Sequence, residues 1–324
     1  MVRINGSEIA GKLYEELQAR VLKLKKKHVT PHLVVFLVGE NPASVAYVTL
    51  KQKKGEELGA KVTILNYNTS ITTKDLAEKV KLLNDDPFVH GILIQRPLPD
   101  QIDVEQLELL TNPEKDIDGF HPDSPYILPL PLAVVKILEE IFEMEQTLGV
   151  AGGGGPPSSA RNEATYRMVH GEVRTSDGGG AGQDPVKPSK DFLEWFRSKN
   201  VVVLGKGPTG GGPVLEYLIS LKVIPHIIDS KTINPDALMK AADIIISCVG
   251  RENIVKADKI KKGAILISVG IFRNSQNKLS GDYNPADIED IAAYYTPTPG
   301  GVGPVNVAML MENLITAAER QTSK

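Results

Sequence analysis

Short uninterrupted apolar runs alternate along this chain with stretches of helical apolar spacing, and that alternation restricts it to parallel strands joined by helical crossovers. Leu33 to Val38 (LVVFLV) is one such run, ending at Gly39, and it reads as a strand buried on both faces. Ahead of it, Ile9, Leu13, Leu17, Val21 and Leu24 recur every three or four residues on one stripe of an opening helix. A helix over about 42–58 follows, and then a second strand at Val62 to Leu65. Thr72, with Asp75 three residues on, caps a helix whose buried side is Leu76, Val80 and Leu83, and Gly91 to Ile94 is a third strand. After Asn200 the pattern starts again, with strands expected at Val201 to Leu204, Val223 to Ile228, Asp243 to Ser247 and Ala264 to Val269. A last helix, about 305–320, carries Val307, Leu310, Met311, Leu314 and Ile315 and is placed to return onto the first series.

The fold class expected is therefore α/β with two domains: an α/β domain over 1–144 plus 296–324, and a doubly wound, Rossmann-type domain over 191–295. Between them, 145–190 contains AGGGGPPSSA and DGGGAG, which bury too little apolar area to offset their ordering entropy and read as a flexible insert. A hairpin over 164–175 is left open. The GGGG follows no strand and precedes no Lys-Ser/Thr pair, so linker is the better reading than phosphate loop.

Composition narrows the function. Among 324 residues, 37 Lys+Arg against 40 Asp+Glu give a formal charge of -3, which provides no field for nucleic acid or an anionic membrane and leaves small molecules as the expected partners. The one cysteine, Cys248, permits neither an intrachain disulfide nor a thiolate zinc cluster, and suits a reducing cytoplasm. Six histidines show no HExxH or similar spacing, so no metal is expected. The first residues lack a leader pattern, and no segment approaches the roughly 18 apolar residues of a membrane span.

Gly205-Lys206-Gly207-Pro208-Thr209-Gly210 is a GxGxxG directly after the strand 201–204 and before a helix, the context that gives the motif its meaning. Gly205 permits the tight turn, Gly207 lets the backbone approach a pyrophosphate, and Gly210 allows close helix–strand packing at a helix N-terminus. The end of the next strand sets the choice of dinucleotide. Asp229 favours the ribose hydroxyls of NAD, whereas Ser230, Lys231 and Lys206 favour the 2′-phosphate of NADP if Asp229 turns aside; NADP is preferred and NAD stays open.

On the helix after Gly39, Ser44, Tyr47 and Lys51 fall at i, i+3 and i+7 and share a face. Such a trio is often only solvated, but a lysine beside a phenol in a dry cleft has its pKa lowered toward the range of a proton donor and acceptor. Gln95 ends the strand 91–94, and Asp118 lies in PEKDIDGFHP; strand ends and the loops after them are where α/β folds build sites.

Five segments together resemble a known family, bifunctional methylenetetrahydrofolate dehydrogenase/methenyltetrahydrofolate cyclohydrolase of the FolD type. They are NPASVAYVTLKQKKGEELG (41–59), GILIQRPLP (91–99), PEKDIDGFHP (113–122), VVVLGKGPTGGGP (201–213) and TPTPGGVGPVNVAMLMENL (296–314). The resemblance implies a folate-binding catalytic domain and a dinucleotide-binding domain with a cleft between them, in a homodimer. It implies Lys51 as the central catalytic residue, Tyr47 stacking on or orienting the folate, Gln95 tuning the lysine, Asp118 binding the pterin, and Pro299, Gly300 and Gly301 lining the folate side. The activity implied is oxidation of 5,10-methylenetetrahydrofolate and hydrolysis of the methenyl product to 10-formyltetrahydrofolate; the alternatives are a dehydrogenase without the hydrolase, or a non-catalytic dinucleotide-binding regulator. The chain departs from the pattern in having Lys206-Gly207 where Arg-Ser is frequent, Gly212 for an arginine, Pro129-Leu130-Pro131 for Pro-Cys-Thr-Pro, and Asn306 for threonine.

Overall fold

The computed structural model describes residues 1–147, 149 and 188–322. Packing divides the chain into two compact units, one of Ser7–Ala133 with Pro304–Lys324 and the other of Met1–Gly6 with Val134–Gly303. Strands are numbered along the chain from β1 (Val2–Arg3), which belongs to the second unit.

The first unit is built on a parallel three-stranded sheet in the order β3-β2-β4, from β2 (His32–Val38), β3 (Lys61–Tyr67) and β4 (Gly91–Ile94). Every residue of β2 is buried, because alternate side chains feed two cores. Leu33, Val35 and Leu37 pack with Leu17, Val21 and Leu24 of the helix Gly6–Lys26 and with Leu310, Met311, Leu314 and Ile315 of the last helix, Val302–Gln321. Val34, Phe36 and Val38 pack on the other side with Leu76, Val80, Leu83 and Leu107. The last helix thus returns to the first unit, and Arg20 fastens it through Glu319 at 2.7 Å and Thr316 at 2.8 Å. Thr72 and Asp75 form the expected reciprocal cap of the helix Thr73–Asp85.

The second unit holds a parallel six-stranded sheet, with β5 (Val201–Leu204), β6 (His226–Ile228), β7 (Ile244–Ser247), β8 (Ile265–Ser268) and β11 (Tyr294–Tyr295) joined by β1 in the order β1-β11-β8-β7-β5-β6. A two-stranded ribbon, β9 (Ile271–Arg273) and β10 (Leu279–Gly281), stands apart from it. The order reverses at β5, which lies between β6 and β7, so the crevice beyond the end of β5 is where an open α/β sheet accepts a ligand. The strand expected at 223–228 begins only at His226, since Lys222 takes φ 61° and Pro225 has no N–H for a ladder. The two-residue strands β1 and β11 carry no periodicity and are invisible to sequence patterning.

Division by packing falls inside two long helices, Pro129–Thr147 and Val302–Gln321, whereas the sequence reading sets the joints near residues 144 and 296. Residues 1–6 join the second unit because β1 pairs with β11. Of the insert expected at 145–190, only 145–147, 149 and 188–190 are among the described residues; the hairpin left open at 164–175 lies outside them.

Candidate active site

The helix Pro42–Leu58 starts where the Asn41 side chain accepts from the N–H groups of Ala43 (3.0 Å) and Ser44 (3.2 Å), and it stops at Gly59 with φ 86°. Its buried residues, Ser44, Val48, Lys51, Gly55 and Leu58, form one stripe. Gly55 lets that stripe lie against β3: a Cβ there would come 2.5 Å from Cγ2 of Val62. Lys51 is therefore a lysine at a core position, 7% exposed. Leaving an amine there without partners would cost several kcal/mol, and the partners are present.

Lys51 Nζ donates to Gln95 Oε1 at 3.0 Å, and Gln95 Nε2 donates to the carbonyl of Arg96 at 2.7 Å, which fixes the amide with its oxygen toward the amine. The amine lies 5.6 Å from the centre of the Tyr47 ring. Burial pushes the Lys51 pKa down, opposed by the charge of Asp118. Burial in turn raises the Asp118 carboxyl against the pull of Lys51 and Arg96. Tyr47 is raised by burial, partly offset by the influence of Asn306. Arg96 is held by ion pairing with Glu108 and by stacking 4.3 Å from the centre of the Phe120 ring. The first unit thus brings Lys51, Tyr47, Gln95 and Asp118 together. Ser44 is buried on the same stripe and has no assigned role.

The segment 113–122 divides its labour. Lys115 Nζ donates to the carbonyls of Leu83 (2.8 Å) and Asp86 (2.7 Å), closing the end of the helix Thr73–Asp85. Asp116 accepts from the N–H groups of His121 (2.7 Å) and Gly119 (3.2 Å), bending the chain around Asp118, and Gly119 takes φ 77° in that bend. Burial raises the Asp116 carboxyl to about 6. A carboxyl that is raised on folding stabilises the fold fully below its unfolded pKa and loses that contribution as pH rises through the folded value. Between pH of about 4 and about 7, Asp116→Asn is therefore expected to gain about 2 kcal/mol on the parent protein, read by urea unfolding at both pH values. A difference that did not move with pH would contradict this.

In the second unit Gly205 takes φ 83° at the end of β5. The glycine that admits the helix is Gly211, one residue beyond the Gly210 of the motif: a Cβ on Gly211 would collide with the carbonyl oxygen of Gly205, whereas one on Gly210 would meet nothing nearer than Cβ of Cys248 at 3.7 Å. Gly207 has open space around a Cβ, and no side chain caps the helix Gly211–Ser220. Lys206 and Asp229 form an ion pair at 2.8 Å, and Asp229 also accepts from the Lys231 N–H (2.9 Å) and the Thr232 hydroxyl (3.1 Å). The Lys206 ammonium and these donors hold the Asp229 carboxyl down at about 2. Ser230 and Lys231 are exposed beside it.

Sequence reasoning passed over Asp282, which is fully buried and accepts from the Ser247 hydroxyl (2.6 Å) and from the N–H groups of Val249 (3.1 Å) and Arg251 (2.9 Å). It shapes the loop that follows β7, beside the glycine turn. Cys248 in that loop is pushed up to about 12 by burial, with Asp282 adding to the effect, and is held as a thiol. Pro299, Gly300 and Gly301 also belong to this unit. Gly300 takes φ 95° and its carbonyl accepts from the Gly6 N–H at 2.9 Å, and a Cβ on Gly301 would collide with the carbonyl of Pro297.

With both sets of residues in place, comparison with known proteins is decisive. The catalytic-domain model of tetrahydrofolate dehydrogenase/cyclohydrolase matches residues 4–118, and the NAD(P)-binding-domain model of the same family matches residues 193–322. A protein of Acidovorax named bifunctional protein FolD is 33% identical over 98% of each chain. The chain belongs to the tetrahydrofolate dehydrogenase/cyclohydrolase family. The structure of a bifunctional FolD dehydrogenase/cyclohydrolase from Campylobacter jejuni covers 99% of each chain at 29% identity with a TM-score of 0.79. A FolD from Trypanosoma brucei, solved with NADP and an inhibitor, covers 100% of this chain and 99% of its own at 26% identity and a TM-score of 0.76. The two matches place the family's catalytic part ahead of its NAD(P)-binding part along this chain. Among the described residues, no helix is long and apolar enough to cross a membrane.

Proposed function

We infer that this protein oxidises 5,10-methylenetetrahydrofolate with NADP and hydrolyses the resulting methenyl form to 10-formyltetrahydrofolate. The observation that carries the reading is the buried Lys51 amine, held by Gln95 within the field of Asp118. Hydride transfer requires two rings held face to face and no protein acid, so positioning by Tyr47 and Asp118 supports that step. The nicotinamide supplies the hydride acceptor.

Hydrolysis asks more of the chain. Water adds to the methenyl carbon and gives a proton to neutral Lys51, and the lysine then passes it to the pterin N5 as the carbon–N5 bond breaks. A second proton leaves to solvent as the hydroxyl becomes the formyl carbonyl. A lysine whose pKa is depressed by burial suits both transfers, and Gln95 orients it without adding charge. Asp118 accepts from the paired donors of the pterin edge. Family resemblance adds Pro299, Gly300 and Gly301 on the folate side. It also supports a homodimer, and the lone thiol suits the cytoplasm.

The glycine turn fits a dinucleotide: Gly205 and Gly211 close the backbone tightly, and an uncapped helix start follows. Gly205, Lys206, Gly207 and Gly210 would hold the pyrophosphate. NADP is favoured because Lys206 already neutralises Asp229, leaving Ser230 and Lys231 to meet a 2′-phosphate, and NAD remains the alternative. Asp229→Asn is expected to raise the NADP-to-NAD ratio of kcat/KM about fivefold by removing a rim carboxylate. An unchanged ratio would take Asp229 out of the selection.

Mixing the purified protein with methylenetetrahydrofolate and each nicotinamide cofactor tests the whole. Absence of reduced cofactor excludes the enzyme and leaves a dinucleotide-binding regulator. Methenyl product persisting at its uncatalysed rate leaves only a dehydrogenase.

A further inference from the structure

Asp282 follows directly on β10 and lies, with the glycine turn, in the second compact unit. Its own backbone ties it to the fold: the N–H donates to the Ser268 hydroxyl at the end of β8 (3.0 Å), and the carbonyl accepts from the Val255 N–H (3.1 Å). The side chain is thus a fixed point, and what it holds is the loop 248–251 after β7. Oδ2 accepts from the Ser247 hydroxyl (2.6 Å) and the Val249 N–H (3.1 Å), and Oδ1 accepts from the Arg251 N–H (2.9 Å). Neither amide has another acceptor among the described residues. Loop N–H groups that converge on one anion form a nest, a shape that depends on the anion. The carboxylate is packed in closely: Gly250 takes φ 70° in the loop, and a Cβ on Gly270 would collide with Asp282 Oδ2 and with the Gly250 nitrogen.

The loop so held abuts the glycine turn. The Cys248 N–H donates to the Leu204 carbonyl at the end of β5 (2.8 Å). A Cβ on Gly205 would lie 3.1 Å from the Cys248 carbonyl oxygen, and one on Gly210 would lie 3.7 Å from Cβ of Cys248. The turn after β5 therefore has the loop 248–251 on its β7 side, whereas Asp229, Ser230 and Lys231 follow β6 on the other. A dinucleotide laid across the reversal of strand order puts one mononucleotide on each side. On the proposed function, Ser230 and Lys231 meet the 2′-phosphate of the adenosine half, so the nicotinamide half falls to the β7 side. We propose that Asp282 is a positioning residue that holds the loop 248–251 as the wall receiving the nicotinamide half of the dinucleotide. Being fully buried, it acts through the loop and does not touch the cofactor. The inference rests on the proposed function only for the dinucleotide and its orientation at the turn.

The test compares a whole ligand with its half. Dissociation constants of NADPH and of adenosine 2′,5′-bisphosphate, which carries the 2′-phosphate and no nicotinamide, are measured by titration calorimetry with the parent protein and Asp282→Asn. Asparagine keeps the size of the side chain but turns one of its two ends from acceptor to donor, so one loop N–H loses its partner in either orientation of the amide. The variant is expected to bind NADPH about tenfold more weakly and the bisphosphate within about twofold of the parent. A residue that merely supported the unit would weaken both ligands alike or neither, so an unchanged ratio overturns the proposal. Should Asp282→Asn not fold, Gly250→Ala decides in the same way, since it strains the same loop at a positive φ and brings a Cβ to 3.0 Å from the Ile271 carbonyl oxygen. A loss confined to NADPH then supports the assignment, and equal effects on the two ligands refute it. A parent protein that binds neither ligand removes the dinucleotide and this assignment together. The expected ratios in a protein that does not turn over methylenetetrahydrofolate remove the proposed function and leave the assignment standing, whereas turnover with an unchanged ratio removes the assignment alone.

Discussion

Lys51→Met is expected to lower cyclohydrolase turnover about a thousandfold while hydride transfer falls far less, since removing a positioned acid–base group typically costs about 10²–10⁴ in rate. Methionine matches the length of the lysine stem and fits the buried stripe of the helix Pro42–Leu58, so the effect falls on the proton and not on packing. The substitution strands two groups that now share the amine. Gln95 Oε1 loses its donor, and Asp118 keeps Arg96 as the one counter-charge acting on it, so its carboxyl rises further. On the proposed role of Asp118, its hold on the pterin weakens in consequence, which accounts for a modest loss in the dehydrogenase step as well. Following reduced cofactor and methenyl absorbance in the same reaction separates the two. Hydrolysis that continued at the parent rate would remove Lys51 from the chemistry and, with it, the main support for the proposed function.

What could be read from residues alone follows a physical divide. Local signals were sufficient wherever a side chain's role is set by its own element: the apolar run Leu33 to Val38 of β2, the Thr72–Asp75 cap, and the shared face of Ser44 and Lys51 all appear as patterning predicts. The candidate residues Lys51 and Gln95 meet because a helix stripe and a strand end are predictable places, although their 3.0 Å bond is a long-range fact. Roles set by tertiary contact were opaque. Lys115, Asp116 and Asp118 sit within four positions, yet one closes a helix, one bends a loop and one acts on the amine. Asp282 serves a loop more than thirty residues earlier in the chain, and no spacing announces that.

The glycine run 210–212 shows the same limit most sharply and gives the second large expectation. Pattern assigns helix–strand closeness to Gly210, but three successive glycines do not reveal their register, and packing assigns it to Gly211. Gly211→Ala places a methyl against the carbonyl oxygen of Gly205, a backbone atom at the end of β5 that no rotamer change can move aside. The helix must shift away from the strand, at a cost of about 1–3 kcal/mol, and the turn that would cradle the pyrophosphate opens with it. Gly207→Ala is the informative contrast, because a methyl there meets nothing within 4 Å. It is expected to unfold within about 0.5 kcal/mol of the parent, as a surface change should. If the backbone at Gly207 is where a pyrophosphate comes close, its methyl nevertheless obstructs the dinucleotide. Denaturant unfolding and titration of reduced cofactor by fluorescence therefore give different pairs of outcomes: Gly211→Ala loses stability and binding together, whereas Gly207→Ala loses binding alone. A Gly211→Ala protein of parental stability would show that the close approach at Gly205 is not a constraint, and a Gly207→Ala protein binding the dinucleotide normally would move the pyrophosphate elsewhere on the turn.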